Sequence, residues 1–235
     1  MDFKGLKKYF TPKNKIPQFI GYGIAAFGVL VAIFYWLYFG VPFMIVGVCV
    51  VLFMRDSRPS DSDVDATAKA KLSDLDTRAR AHIDIHEKPI KAFPPEVFDG
   101  YDYSEPDGLL VCRGGDKKCR TNKYSAAEMV FTQDVLHVFL YRFCLTEDSE
   151  QSEYMDERYE NLGRASIGSR RAQFHFMGRT DGETYEHEIY TLEIRNSADE
   201  VILEIPVDAG ADVDRAVDAI NHLIKSKKAQ KQDTV

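Results

Sequence analysis

Hydrophobic and polar positions divide the chain into regimes with different periods. From Ile16 to Met54 there is no Asp, Glu, Lys or Arg, and apolar residues dominate. Over 64–85, Leu72, Leu75, Ala79 and Ile83 fall at three- and four-residue steps, the period of a helix with one thin apolar stripe. From about residue 107 the period shortens to two, through 109–112, 126–132, 135–145, 153–160, 170–177, 184–195 and 201–206. Turn-forming stretches such as Gly114-Gly115-Asp116, Thr132-Gln133-Asp134 and 178–182 separate several of these segments, so the pattern predicts about seven antiparallel strands. Over 212–228, Val213, Ala216, Val217, Ile220, Leu223 and Ile224 return to helical spacing, with acids first and lysines last, as the helix dipole favours.

The apolar run is long enough for more than one element. A helix needs about twenty apolar residues to cross a bilayer, and 19–39 supplies that length, with Tyr35, Trp36 and Tyr38 at its far end. Gly40 and Pro42 then suit a turn, and the run continues to Met54, so a helical hairpin with a short second arm is expected over 19–54. Lys13 and Lys15 before the run, and Arg55 and Arg58 after it, put both flanks on the cytoplasmic side by the positive-inside tendency. The expectation is a multi-pass protein of the plasma membrane with both termini and the β domain cytoplasmic. The organisation read from these patterns is a basic segment (1–18), the hairpin (19–54), a polar linker (55–65), a stalk or surface helix (66–88), a β domain with its C-terminal helix (89–229) and a tail (230–235).

Composition narrows the function classes. The chain has 235 residues and a net charge of −7, with the acid in the later domain and lysines gathered in the first sixteen residues, which disfavours nucleic acid as a partner. Cys49, Cys112, Cys119 and Cys144 lack the paired spacing of a zinc site. They are expected as reduced thiols, with an oxidised Cys112–Cys119 staple as the alternative in an external domain.

About seven strands and one amphipathic C-terminal helix behind an apolar hairpin resemble the bacterial pleckstrin-homology-like membrane proteins. The phrases that carry the resemblance are Met129-Val130-Phe131-Thr132-Gln133-Asp134-Val135-Leu136-His137-Val138-Phe139, then Tyr159-Glu160-Asn161-Leu162-Gly163-Arg164-Ala165-Ser166-Ile167, then Ala219-Ile220-Asn221-His222-Leu223. The resemblance implies a partly open antiparallel barrel capped by the helix, and a binding or assembly module with no chemistry to carry over.

Residues that could carry chemistry are few. Gly114-Gly115 lies between strand segments and lacks the lysine and hydroxyl of a phosphate loop. His137, seven residues upstream of Cys144 on one strand segment, lies too far to touch it, and Cys144 reads as core. His82 and His86 sit four apart near a helix end without further ligands at metal spacing, and the acids from Glu147 to Glu160 lack the glycine of a calcium loop. Arg164, Arg170 and Arg171, with Arg179, are candidate contacts for an anion or lipid headgroup, the simpler use being pairing with the acidic stretch. Lys225, Lys227, Lys228 and Lys231 form a second small basic patch. No catalytic, cofactor or metal residue is assigned. The expected function is a non-enzymatic scaffold that binds a protein partner or a second copy. Anionic headgroup sensing is the alternative, and a metal-dependent enzyme comes last.

Overall fold

Two opposed faces of one antiparallel sheet are both buried, and most of the architecture follows from what covers them. The computed structural model describes residues 2–11, 16–34, 37–53, 58–82, 88–175, 184–208 and 210–232. Among the described residues the helices are α1 (Phe3–Phe10), α2 (Ile16–Phe34), α3 (Leu37–Phe53), α4 (Asp61–Lys71), α5 (Leu75–Arg80) and α6 (Ala211–Gln232). The strands are β1 (Glu96–Tyr101), β2 (Val111–Arg113), β3 (Cys119–Thr121), β4 (Lys123–Phe131), β5 (Val135–Cys144), β6 (Glu150–Arg158), β7 (Leu162–His175), β8 (Thr184–Asn196) and β9 (Val201–Val207).

The strands form a four-stranded sheet β1-β4-β5-β6, a three-stranded sheet β7-β8-β9 and the small hairpin β2-β3, all antiparallel and without barrel closure. At one corner β1 passes close to β9. Gly100 allows that passage, because a Cβ there would stand 2.8 Å from the Pro206 carbonyl oxygen. Between the sheets lies a core of Phe98, Met129, Phe131, Leu136, Val138 and Leu140 against Leu192, Ile194 and Ile205, with Ile220, Leu223 and Ile224 of α6 closing it. The domain is thus mostly β with a C-terminal helix.

A second apolar cluster occupies the other face of the four-stranded sheet. Tyr124, Ala126, Phe139, Tyr141 and Phe143 pack there under Leu6, Tyr9 and Phe10 of α1, Val64 and Ala68 of α4, and Leu75 and Ala79 of α5. The segment read as a stalk or surface helix packs on the sheet as α4 and α5. The polar run read as a linker over 55–65 is helical from Asp61, because Ser60 and Asp63 close a reciprocal capping box at its N-terminus. β1 and β3 went unread, since Asp99-Gly100 looks like a turn and β3 has only three residues. The turn expected over 178–182 lies outside the described residues.

The apolar run divides earlier than expected. α2 has 19 residues and α3 has 17, and both Gly40 and Pro42 lie inside α3. The expected turn at Gly40–Pro42 is replaced by a helix–helix contact: a Cβ on Gly40 would stand 2.5 Å from the Ala32 nitrogen, and one on Gly28 would stand 2.6 Å from the Met44 nitrogen. Glycine serves close approach there, not chain reversal. Among the described residues no helix is long and apolar enough to cross a membrane. At about 1.5 Å per residue the two helices measure about 28 and 26 Å.

A buried guanidinium joins the helices to the sheet. Arg120, 1% exposed, donates from Nε and Nη2 to Asp65 of α4 at 2.7 Å each, and from Nη1 and Nη2 to Asp116 of the β2–β3 turn at 2.9 and 2.6 Å. Arg120→Ala is expected to lower stability by about 3 kcal/mol, because a fork satisfied on both sides is lost and a void is left. Asp116→Ala, at the exposed turn, should cost less. Urea titrations of the three proteins test this, and equal midpoints would show that the fork contributes nothing.

Candidate functional site

The site residues expected from sequence do not converge. Lys13, Lys15 and Arg55 lie outside the described residues, as do Arg179 and His86. Arg58 donates to the Thr11 carbonyl at 2.6 Å and so ties the two ends of the apolar hairpin together. Arg164 and Arg170 are six residues apart on β7, about 20 Å at strand rise, and Arg171 faces the opposite side of the sheet. Arg164 lies 3.3 Å from Asp199, Arg170 donates to the Tyr103 carbonyl at 3.2 Å, and Arg171 stands opposite Glu188.

The acidic stretch is not what these arginines pair with. Glu150 accepts from Tyr141 Oη at 2.5 Å and lies 3.4 Å from Lys71, Glu153 lies 3.3 Å from Arg142, and Glu160 pairs with Lys231. The C-terminal basic patch is likewise committed, with Lys228 donating to Ser197 and Lys227 over the Tyr159 ring. His82 stacks against Phe139 and Tyr154. Among the described residues, no group of three His, Cys, Asp or Glu side chains is placed to hold a metal ion.

Cys112 and Cys119 are both free thiols. The β2–β3 register pairs Cys112 with Arg120 and Arg113 with Cys119, so the two cysteines face opposite sides of the hairpin and the alternative staple would need a register slip. Burial pushes both thiols up.

His137 sits in a line of hydrogen bonds that superficially resembles a hydrolytic triad. Its Nδ1 lies 2.6 Å from Asp156 and 2.8 Å from Tyr154 Oη, and its Nε2 lies 3.3 Å from Thr132 Oγ1. The Thr132 hydroxyl donates to the Val135 carbonyl at 2.9 Å, and Thr132 and His137 are both buried. A nucleophile needs its proton directed at the base and a path to substrate. This array instead locks the β4–β5 turn. Cys144, also buried, accepts from Asn122.

A concavity with mixed chemistry lies at the corner where β1 meets β9. It holds about 450 Å3, lined by Tyr101, Tyr103, Tyr124, Tyr190, Cys119 and His187. Four of its charged groups pair with one another, Lys69 donating to Asp99 at 2.7 Å and Lys118 to Asp208 at 3.3 Å, and Tyr124 also donates to Asp99. Burial pushes the Cys119 thiol up and the His187 imidazolium down, so both groups favour their neutral forms. A thiolate–imidazolium pair is thereby disfavoured. The wall nearest the helices is formed by Asp65 and Lys69 of α4, one turn beyond Asp61. Asp61 accepts from Tyr9 Oη at 2.8 Å and from the Gly115 amide at 2.7 Å, and Asp65 accepts from Tyr101 Oη at 2.5 Å besides Arg120. The Arg120 guanidinium holds Asp116 down to about 2 and also lowers Asp65, while burial and the Asp61 and Asp65 carboxylates raise the Tyr9 and Tyr101 phenols.

One buried acid lacks a donor. Glu128 on β4 is 1% exposed, and no donor group of the described residues reaches its carboxylate oxygens, so it is left to share a proton with the Asp76 carboxylate. Burial, reinforced by the Asp76 carboxylate on α5, pushes its carboxyl up to about 7. Asp76 itself is lowered, held by Arg80 at 2.6 Å.

No family model, curated protein or solved structure matches this chain.

Glu128 makes stability depend on pH with a definite sign. The folded chain keeps the proton up to about pH 7 whereas the unfolded chain releases it near the ordinary carboxyl value, so stability falls as pH rises across that window. Glu128→Gln is expected to be more stable than the parent at pH 8 by about 1–3 kcal/mol and to show little advantage at pH 4.5. Urea midpoints at the two pH values test it, and a constant difference between the proteins would exclude Glu128 as the source.

Proposed function

We propose that the chain is a membrane-anchored, non-enzymatic binding or scaffold protein, in which α2 and α3 sit in the bilayer and the β domain is presented in the cytoplasm to a protein partner or a second copy. The observation that carries this reading is the inverted packing of the helix pair. Gly21 and Gly28 of α2 and Gly40 and Gly47 of α3 are buried between the helices, with Ala25 and Ala32 beside them. The bulky residues point outward: Phe34 is 76% and Tyr38 84% exposed, and Phe27, Ile33, Phe39, Ile45 and Leu52 are also exposed. Water would drive the large apolar side chains inward. Lipid removes that drive and leaves close backbone approach as the attraction, which small residues at the interface provide. An apolar surface of this extent needs a cover. Both helices fall a little short of the roughly 30 Å hydrocarbon core, a mismatch that flanking residues and local thinning absorb.

A pleckstrin-homology-like assignment for the domain is supported by its chain order. Four antiparallel strands, three more, and a terminal helix over the open mouth occur in sequence, with β2-β3 inserted after β1. Strand edges and grooves bind through backbone groups, which suits a domain whose side-chain clusters are internally satisfied. The lysines of α1 (Lys4, Lys7, Lys8) are exposed while its apolar face is spent on the domain, so they are free to meet anionic headgroups at the foot of the hairpin.

Two experiments test the anchor. The full chain is expected to stay in the membrane pellet through alkaline carbonate extraction, and a fluorescent protein fused at the C-terminus should fold and fluoresce on the cytoplasmic side. Gly28→Leu should separate α2 from α3, since even a Cβ would stand 2.6 Å from the Met44 nitrogen, and should abolish cross-linking between cysteines introduced at Phe27 and Phe43, whose ring centroids lie 5.8 Å apart. Release of the parent chain by carbonate, or cross-linking unchanged by leucine, would sink the hairpin anchor.

A further inference from the structure

We propose that the outer edge of β7 accepts an extended acidic segment of a partner protein as an added antiparallel strand. This rests on the binding-module reading above and names the place and the kind of partner. The edge is marked by Asn221 of α6, whose Oδ1 accepts from the Ala165 amide at 2.8 Å and whose Nδ2 donates to the Ala165 carbonyl at 2.8 Å. One residue of a neighbouring strand makes the same pair of bonds in an antiparallel ladder. The Ala165 backbone groups therefore point away from β8, onto an outer rail.

The rail continues past the helix. The β7–β8 register runs without interruption from Arg164 to His175, so Ile167, Ser169, Arg171 and Gln173 direct their amides and carbonyls the same way as Ala165. No backbone group of the described residues pairs with them on that side. From Ile167 to Gln173 the rail is about 20 Å long, room for a strand of about six residues.

Charge selects the occupant. β7 carries Arg164, Arg170 and Arg171 and no acid over its whole length. Arg170 and Arg171 are consecutive and exposed, so one guanidinium stands on each face at the middle of the rail. An incoming strand with carboxylates on both faces meets both. A second β7 would bring arginines against arginines, which opposes its addition. β6, the other long edge, is lined by Glu150, Glu153, Asp156 and Glu157 and so repels the same acidic segment.

The test uses the full chain in nanodiscs of neutral phosphatidylcholine and a fluorescent peptide of about ten residues in which pairs of consecutive glutamates alternate with pairs of valine or threonine, so that each face of the strand carries carboxylates. Binding read by anisotropy is expected, and should weaken at least about tenfold when alternate peptide nitrogens are methylated, or when the protein carries Ser169→Pro. The Ser169 amide faces outward, so proline removes one rail donor while leaving the β8 ladder intact, and an unchanged urea midpoint would verify that. The double variant Arg170→Glu, Arg171→Glu should transfer preference to the matching lysine peptide.

Binding indifferent to both methylation and Ser169→Pro would overturn strand addition, and no binding by the folded, embedded chain would overturn the proposal outright. Self-association that Ser169→Pro abolishes would assign the rail to a second copy and overturn the acidic partner. Peptide binding that anionic vesicles displace from the parent but not from Ser169→Pro would assign the rail to headgroups, with the same consequence. Failure of the anchor reading is seen separately, as a chain that carbonate strips from the membrane before any peptide is added.

Discussion

A guanidinium buried away from water must be fully paired or it destabilises the fold by several kcal/mol, and Arg120 is the side chain on which the connection between the two halves depends. Its partners are Asp65 on α4 and Asp116 on the β2–β3 turn, so α4 can occupy only one position on the sheet. Asp61, one helical turn earlier, takes the Tyr9 hydroxyl and the Gly115 amide. Through Tyr9 the same helix fixes α1, and Phe10 at the end of α1 is wholly buried. The elements before and after the apolar hairpin are thereby clamped to one face of the domain, and Arg58 joins their inner ends at Thr11. The helices on either side of the hairpin are thus built into the domain through apolar and polar contacts.

The double burial of the four-stranded sheet explains both what was readable in the sequence and what was not. β5 alternates Leu136, Val138 and Leu140 on one face with Phe139, Tyr141 and Phe143 on the other, all buried. A strand apolar on both faces needs a cover on both, and that requirement was already in the residues. The inner cover, α6, is legible because six apolar positions keep one helical stripe. The outer cover is harder, because α1, α4 and α5 are short and each offers only two or three apolar side chains. Their docking is decided by polar pairs separated by 50 or more residues, such as Asp65 with Arg120, 55 apart, and Tyr9 with Asp61, 52 apart. Local periodicity carries no trace of such pairs.

Glycine misleads for a related reason. Gly40 beside Pro42 reads as a chain reversal when only local backbone preference is weighed, yet Gly40 is the point where α3 presses on Ala32 and Gly28. The cue that would have found it is spacing: Gly21 and Gly28 on one helix, and Gly40 and Gly47 on the other, are each seven residues apart, the repeat of a helix–helix seam. The same chain thus uses opposite packing rules in its two halves. Bulky residues fill the centre of the domain and the outside of the hairpin, as expected if the two are solvated by different media.

Open sheets expose edges, and this domain treats each of them differently. β1 is protected by the close passage of β9 at Gly100, and β6 carries acids along a largely exposed strand. β7 is the exception. Its first outward pair is satisfied by Asn221, a side chain that imitates a strand, and the positions beyond it have no such substitute. If the edge served only to be hidden, α6 could run along it. Instead α6 crosses at Ala165 and continues toward β1, where Val213 and Ala216 line a groove with Val97 and Phe98. The helix closes the core between the two sheets and leaves most of the β7 rail uncovered, with its arginines set at the centre. An edge blunted by charge of one sign excludes another like itself while remaining open to the opposite sign, so the device that guards β7 against self-association also sets its preference in a partner.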